Sequence, residues 1–390
     1  MNVAENAGLN HLAEISQVRL AVSHDEAEQG LEVRIYEADI PQFAAAELDR
    51  LYQSIYCTLT RFHIYGEAND ASTYVARLRG TVVSLILFRL ERGVVRVLNQ
   101  QIALSQAELL RFSQVIFNIY PAARRIAFYA IDARLTNFPF PFQACPVLEE
   151  NLLTLPHSRQ EYAAAISEAL WTRIQAGERK LRRDHPDYRF EVLAGDAVSE
   201  QQLRRIIALA GARTAAKQRD AYLHEEDVSR ILQLVHAYGF VGVLSVGGTV
   251  RAGNVFYRVG QRYFMHLIAH DPDYDKYMLG NLVQFLATCH CIERGGRECY
   301  LMGGGREHKA RFRALPKYFD SVDIYRSRLV FLLCLARVGQ GAARRWLRHM
   351  REDLSRMAHT DSAGGRFAAR CLALARTVKR STRGAAAQRK

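Results

Sequence analysis

Apolar positions along the chain predict the same succession of elements twice. In the first copy, alternating and helical spacing predicts three strands, a helix and a further strand, at residues 73–79, 82–90, 94–98, 106–119 and 125–131. Ser105 precedes the helix and Glu108 follows three residues later, which is the signature of a capping box. Pro121 ends the helix.

The second copy follows the same order after a helical connection. Strands are predicted at residues 240–246, 249–258, 262–270 and 298–302, with a helix at 281–294 before the last of them. Residues 159–183 predict a basic amphipathic helix and residues 200–211 another. The fold class is therefore α/β (α+β), with two similar domains of mostly antiparallel strands flanked by helices. We expect domains at 1–150 and 151–320 and a helical, basic extension at 321–390.

Composition sets outer limits on the kind of protein. A chain of 390 residues with 49% hydrophobic residues can bury a large core and form two domains. No apolar run is long enough for a membrane span, and the N-terminus lacks the pattern of a signal peptide. Seven scattered cysteines fit reduced, buried thiols, so a cytoplasmic location is expected.

Positive charge is concentrated at the C-terminal end. Residues 341–390 hold 13 lysines and arginines against three acidic residues, and so supply 10 of the 13 net positive charges. A solubilising tail is the plain interpretation. Contacts with nucleic acid, or peripheral contact with anionic lipid, are the alternatives.

The loop after the predicted strand 262–270 carries the first candidate chemistry. It leads to Gly280 at the predicted helix start, where free backbone N–H groups can bind an anion such as a coenzyme pyrophosphate. This pattern favours a transferase with a carrier-bound substrate. Cys289-His290-Cys291 predicts no metal site, because residues two apart on a helix point away from each other.

Several segments together resemble a known family, the tandem GNAT proteins of the FemAB-related, CelD-type (BioF2-like) acyltransferase group in bacteria. The segments that carry the resemblance are Leu155-Pro-His-Ser-Arg-Gln-Glu-Tyr162, Arg179-Lys-Leu-Arg-Arg183, His270-Asp-Pro-Asp-Tyr274, Gly280 with Leu282, and Gly304 with Lys309. Three positions depart from the usual pattern. Met278-Leu279 replaces Ser-Pro, Tyr300 replaces an acidic residue, and His308 replaces a tyrosine before the lysine.

The resemblance implies an N-acyltransferase. It would move an acyl group from a thioester, on coenzyme A or an acyl carrier protein, to a small-molecule amine, with no tightly bound cofactor and no metal. The pantetheine arm would lie between the strands at 262–270 and 298–302. The implied donor-binding residues are Tyr277, Met278, Leu279, Gly280, Asn281 and Leu282, and the implied substrate-binding residues are Asn254, Tyr300, Gly304 and Lys309.

Acyl transfer to an amine needs a base and donors that stabilise the oxyanion. The candidate catalytic residues are His266, His270, Asp271 and Tyr257. If the strand is regular, His266 and His270 point to one face and either one can serve as the base. Tyr257 can protonate the leaving thiolate or pack in the sheet. The second copy is assigned the chemistry, since the first lacks a glycine at its helix start.

Two other functions stay open. An aminoacyl-tRNA donor would use the same fold and would predict salt-sensitive binding of tRNA through the basic helix or tail. A catalytically silent scaffold in polysaccharide or envelope biosynthesis would explain the loss of Ser-Pro and of the acidic residue at Tyr300.

Overall fold

The computed structural model describes residues 18–20, 30–216, 225–303 and 306–334. The basic tail at 341–390 and Gly304 lie outside these ranges. The helices, strands, cores and contacts named for this molecule are those of the described ranges.

The first half of the chain is a run of strands interrupted by three helices. Its strands are β1 (Val18–Leu20), β2 (Leu31–Tyr36), β3 (Ser72–Leu78), β4 (Thr81–Glu91), β5 (Val94–Val97), β6 (Ile102–Ala103), β7 (Arg125–Asp132) and β8 (Phe142–Thr154). Its helices are α1 (Ala44–Tyr52), α2 (Leu59–Ile64) and α3 (Gln106–Ile119). The capping box predicted before α3 is present, with both the Ser105 and the Glu108 hydrogen bonds formed.

The second half begins with helices and ends with a strand and a short helix. Its helices are α4 (Arg159–Ala165), α5 (Glu168–Asp184), α6 (Glu200–Ala216), α7 (Glu225–Tyr238), α8 (Leu279–Glu293), α9 (Arg306–Ala310) and α10 (Arg328–Leu333). Its strands are β9 (Arg189–Ala194), β10 (Gly239–Val246), β11 (Thr249–Val259), β12 (Arg262–His270), β13 (Glu298–Tyr300) and β14 (Leu315–Tyr325).

The strands form one continuous mixed sheet. Its order is β1-β2-β3-β4-β5-β7-β14-β8-β13-β12-β11-β10-β9, with β6 beside β7. In each half the strands before and after the central helix, β5 with β7 and β12 with β13, are parallel neighbours. The predicted repeat of three antiparallel strands, a helix and a further strand is therefore confirmed.

Each half gives its last strand to the other. β8 follows β7 in sequence but pairs with β13, and β14 follows β13 but pairs with β7. The two exchanged strands also pair with each other, and an ion pair between Arg125 and Asp323 at 2.9 Å joins β7 to β14. The boundaries expected at 150 and 320 fall inside β8 and β14, so they mark no break in the sheet.

Three hydrophobic cores hold the helices on this sheet. The first surrounds α3, where Phe112 contacts Tyr74 at 5.0 Å between ring centroids. The second surrounds α8, where Phe285 stacks on Tyr162 at 5.6 Å. The third, called the interface core, joins the halves and is built around α6 and α7. Its members include Ile55, Ala130, Tyr257, Phe264, Tyr300 and Phe319.

Two helix predictions differ from the structure. The single helix expected at 159–183 is two helices, because Ile166 is extended and the Ser167 backbone N–H donates to the Arg311 carbonyl at 3.0 Å. The extension expected to be helical from residue 321 begins instead in β14, which runs to Tyr325, and its first helix is α10. On α10, Leu329 and Leu333 are 69% and 79% exposed, so packing of this face is not observed in the described part of the chain.

Candidate active site

β12 and β13 diverge from each other in the second half. They are paired at three positions, the last being Phe264 opposite Tyr300. β12 then continues to His270, while β13 ends. Beyond Phe264 the β13-facing edge of β12 therefore borders a wedge. An extended ligand in that wedge could hydrogen-bond to the backbone groups of this edge.

The start of α8 lies at the open end of the wedge. Met278 is the N-cap, with a left-handed φ of 58°, and no side chain caps the helix. The Asn281 and Leu282 N–H groups bond to the Met278 carbonyl. The N–H groups of Leu279 and Gly280 precede them, where a helix has no intrahelical acceptor to offer. Such an end favours an anion.

A close contact with α5 fixes the loop before α8. An added Cβ at Gly177 would lie 2.5 Å from the Tyr277 carbonyl oxygen, so the two backbones touch. The buried Tyr277 hydroxyl donates to Asp184 at 3.0 Å. Tyr277, Leu279 and Leu282 are thus core residues. Of the predicted donor-binding set, Met278, Gly280 and Asn281 are partly exposed.

His270 lies against the first turn of α8. Its Nε2 is 2.7 Å from Asp275 Oδ1, and its Nδ1 is buried without a hydrogen-bond partner. An added Cβ at Gly280 would come within 2.8 Å of that Nδ1. The absence of a side chain at Gly280 therefore makes room for His270 beside the helix start.

His266 faces the other side of the sheet. The register between β11 and β12 skips it, with Val255 opposite Leu267 and Phe256 opposite Met265. This bulge turns His266 toward Tyr257, at 5.3 Å between ring centroids, whereas His270 faces α8. The expectation that the two histidines share a face is wrong because the strand is not regular.

Burial alters the acid–base chemistry of that pair. It lowers the pKa of His266 to about 4, so this imidazole is neutral at pH 7. Burial also raises the pKa of the Tyr257 hydroxyl, which has no hydrogen-bond partner. Tyr257 packs in the interface core, in line with packing and not with protonation of a leaving thiolate.

Asp271 and Asn254 are engaged in structural contacts. Asp271 accepts from the Asp273 backbone N–H at 3.2 Å and pairs with Arg251 at 3.0 Å. The fully buried Asn254 accepts from the Gly242 N–H and donates to the Val283 carbonyl, which ties β11 to β10 and to α8. Their predicted roles in catalysis and substrate binding stay predictions.

Tyr300 and Lys309 lie near the closed end of the wedge. Tyr300 stacks on Phe264 at 4.9 Å and donates to Glu298 at 3.3 Å. The Lys309 ammonium donates to the carbonyls of Met302 and Gly303, at 2.7 and 3.1 Å, and burial lowers its pKa. Lys309 thus closes the loop that follows β13.

The sequence reasoning missed a buried carboxyl beside this loop. Glu150 on β8 is 6% exposed, and its Oε2 has no hydrogen-bond partner. Burial raises its pKa to about 7, against the opposing effect of Lys309. A signal was available in the alternation of the strand. Glu150 points to the same face of β8 as Leu148 and Leu152, and both of these leucines pack on the interface core. A carboxyl at an apolar position of a strand is a sign of function.

Comparison with known proteins identifies the second half. Residues 171–310 match the family described as the acetyltransferase (GNAT) domain. This part of the chain is a GNAT domain. The resemblance to the GNAT group drawn from the sequence is thereby confirmed, and the coarse class that goes with it is a transferase. No curated protein sequence matches the chain significantly.

Solved structures extend the similarity to most of the chain. FemX is similar with a TM-score of 0.57 at 8% identity, over 76% of this chain and 98% of FemX. L-PGS from Bacillus licheniformis has a TM-score of 0.47 at 13% identity, over 77% and 97%. A tandem GNAT protein from the clavulanic acid biosynthesis pathway has a TM-score of 0.37 at 10% identity, over 75% and 98%. FemX alone of these three supports the fold, and at this identity it supports nothing more.

The described ranges contain no helix that is both long and apolar enough to cross a bilayer. They also contain no cluster of three or more histidine, cysteine or acidic side chains placed to hold a metal ion. Cys289 and Cys291 are free, and burial raises the pKa of both thiols.

Proposed function

We propose that this GNAT domain is an N-acyltransferase that takes an acyl group from a thioester, on coenzyme A or a carrier protein, and transfers it to an amine. The observation that carries the proposal is the wedge between β12 and β13, which leads from the uncapped start of α8 to Tyr300. The helix start would bind the phosphates of the donor, and the free edge of β12 would bind its amide groups.

Charge around the helix start supports an anionic donor. Arg173 on α5 is exposed, and its guanidinium reaches the Met278 sulfur at 3.6 Å. Arg182 and Arg183 on the same helix are 68% and 72% exposed. These cations could bind donor phosphates or dock an acidic carrier protein. The described cysteines are free, which fits a cytoplasmic enzyme.

Gly280→Trp tests the donor site. The indole would fill the space over the first N–H groups of α8, so we expect the stabilisation by coenzyme A or acyl-CoA in thermal unfolding to disappear. Gly211→Trp is the matched control, because an added Cβ at this second helical glycine meets no atom within 4 Å. Gly280→Ala gives a milder variant, since its Cβ also displaces His270 but leaves the space over the first N–H groups of α8 open. Normal donor affinity in Gly280→Trp would contradict the site.

An aminoacyl-tRNA donor is the second candidate, favoured by the same exposed arginines. It predicts that charged tRNA stabilises the protein, that rising salt abolishes the effect, and that coenzyme A has none. Loss of this tRNA effect on changing Arg173 and Arg183 to glutamine would favour the second candidate. Binding of neither donor class would favour a catalytically silent scaffold in polysaccharide or envelope biosynthesis.

A further inference from the structure

Glu150 lies just beyond the end of β13, at the closed end of the wedge. Its strand neighbour Leu152 is opposite Tyr300, the last paired residue of β13. Glu150 is two residues further along the same face, about 7 Å away at the rise of an extended strand. The Asn151 side chain donates to the Met302 carbonyl at 2.8 Å and holds the departing chain against β8. A carboxyl is thus placed where the wedge closes.

A second buried side-chain oxygen without a hydrogen-bond partner belongs to Gln101. Gln101 is 8% exposed and its Oε1 has no hydrogen-bond partner. Its backbone has a left-handed φ of 52° and is held by an N–H bond of 2.7 Å to the Ala130 carbonyl. A non-glycine residue in this conformation is strained, and such strain collects at functional sites.

Tyr56 interacts with both residues. Burial raises the pKa of the Tyr56 hydroxyl to about 12, and the charge of Glu150 adds to that rise. A hydrogen bond with the Gln101 side chain lowers it. Glu150 and Gln101 are therefore both neighbours of Tyr56, on the face where the two halves meet. Two buried acceptors without donors suit a ligand that brings its own N–H groups.

Resting on the proposed function, we propose that Glu150 is the general base for the acceptor amine and that the Gln101 oxygen holds that amine as a second acceptor. The acceptor is then a primary amine that enters as an ammonium ion between the halves. The Lys309 ammonium is itself held by the Met302 and Gly303 carbonyls, at 2.7 and 3.1 Å.

The proton and electron movements balance with these groups alone. The ammonium gives one proton to the Glu150 carboxylate, and the freed lone pair of nitrogen attacks the thioester carbonyl carbon. The C–N bond forms, the C–S bond breaks, and the thiolate leaves. The second proton of the new amide nitrogen neutralises the thiolate, and Glu150 returns its own proton to water. The net reaction releases one proton.

Burial dominates the titration of Glu150, and the charged groups around it modify the result. They are Glu149 on β8, which raises its pKa, Lys309 on α9, which lowers it, and Lys317 on β14. Lys317 is opposite Glu150 in register, but its ammonium is paired with Asp132 at 2.8 Å. Burial outweighs these charges, so the carboxyl can both accept and release a proton near neutral pH.

Amine binding to the full chain tests the proposal without any donor. Thermal unfolding is followed from about pH 5 to about pH 9 with methylamine, ethanolamine, glucosamine or L-lysine added. We expect at least one amine to stabilise the wild type, increasingly as Glu150 ionises. Glu150→Gln should lose this response and Glu149→Gln should keep it. Retention of the response in Glu150→Gln, or no response of the wild type to any amine, would overturn the proposal.

Turnover gives the second readout and separates the two proposals. With a thioester that binds, Glu150→Gln should lower the rate of thiol release by roughly 10²–10⁴-fold. In the wild type the rate of thiol release should rise with pH near pH 7, as Glu150 ionises, and in Glu150→Gln this rise should be absent. Glu150→Asp should restore part of the rate. Thioester binding without an amine effect would sink the base assignment and spare the proposed function. Amine binding at Glu150 without binding of any thioester would sink the proposed function and leave Glu150 as part of an amine-binding site only.

Discussion

A single carboxyl, Glu150, gives the second half a dependence on pH that its surface charges do not. A carboxyl whose pKa is raised on folding favours the folded state only while protonated. Its contribution is complete below the ordinary pKa of 4.5 and is lost as the pH rises through about 7. The unfolded chain binds fewer protons than the folded one in this window, so stability falls with rising pH.

Replacing Glu150 by glutamine should therefore stabilise the protein at high pH. At one pKa unit per 1.4 kcal/mol, the free energy of unfolding should rise by about 3 kcal/mol relative to wild type between about pH 4.5 and pH 8. Urea unfolding at both values measures the difference, and Glu149→Gln is the control with no comparable burial. An equal response of the two variants would show that Glu150 keeps an ordinary pKa.

Among the elements, the start of α8 depends on α5, a helix about 100 residues earlier in the chain. The backbone contact of Gly177 with Tyr277 holds the loop that sets where α8 begins. A glycine inside a helix normally costs about 1 kcal/mol relative to alanine. Here it allows a close approach that any Cβ would prevent.

Gly177→Ala should therefore destabilise the protein in spite of the better helix former. We expect a loss of about 1–3 kcal/mol in unfolding free energy, as for other overpacked contacts, and a weaker thermal shift by the donor. Gly211→Ala is the control, because its Cβ meets open space and should be neutral or stabilising. A stable Gly177→Ala variant with normal donor binding would show that the loop position is unimportant.

The elements also show what sequence patterns can deliver. The α3 capping box and the order of strands were predictable because they depend on local residues and on periodicity. The bulge at His266 was not, since Tyr-Phe-Met-His-Leu-Ile reads as a regular apolar strand. Glu150 was overlooked for a different reason: its alternation with Leu148 and Leu152 is visible in the sequence, but the pairing of β8 with β13 and β14 is what buries this strand.

At the scale of the whole molecule, strand exchange makes the halves interdependent. Strand pairing partners cannot be read from alternation, because every strand of this kind alternates alike. The domain boundaries expected from sequence therefore cut through two strands that each serve the other half.

Ending the chain after Ala314 should unfold both halves. The truncation removes β14 and leaves neighbouring edges of β7 and β8 unpaired, so we expect aggregation and loss of cooperative unfolding. A chain that ends after Cys334 retains every described strand and is the matched comparison. Gel filtration and circular dichroism distinguish the outcomes, and a soluble, cooperatively folding 1–314 fragment would refute the dependence.

The exchange of strands also delays the completion of the first half during synthesis on the ribosome. β7 is complete at Asp132, but its partner β14 is not made until Tyr325 has been added. At about 5–20 residues per second, the ribosome needs roughly 10 to 40 seconds for the intervening segment. Throughout that interval the first half waits with an open sheet edge, so a nascent chain that stalls before residue 315 is a natural substrate for chaperones.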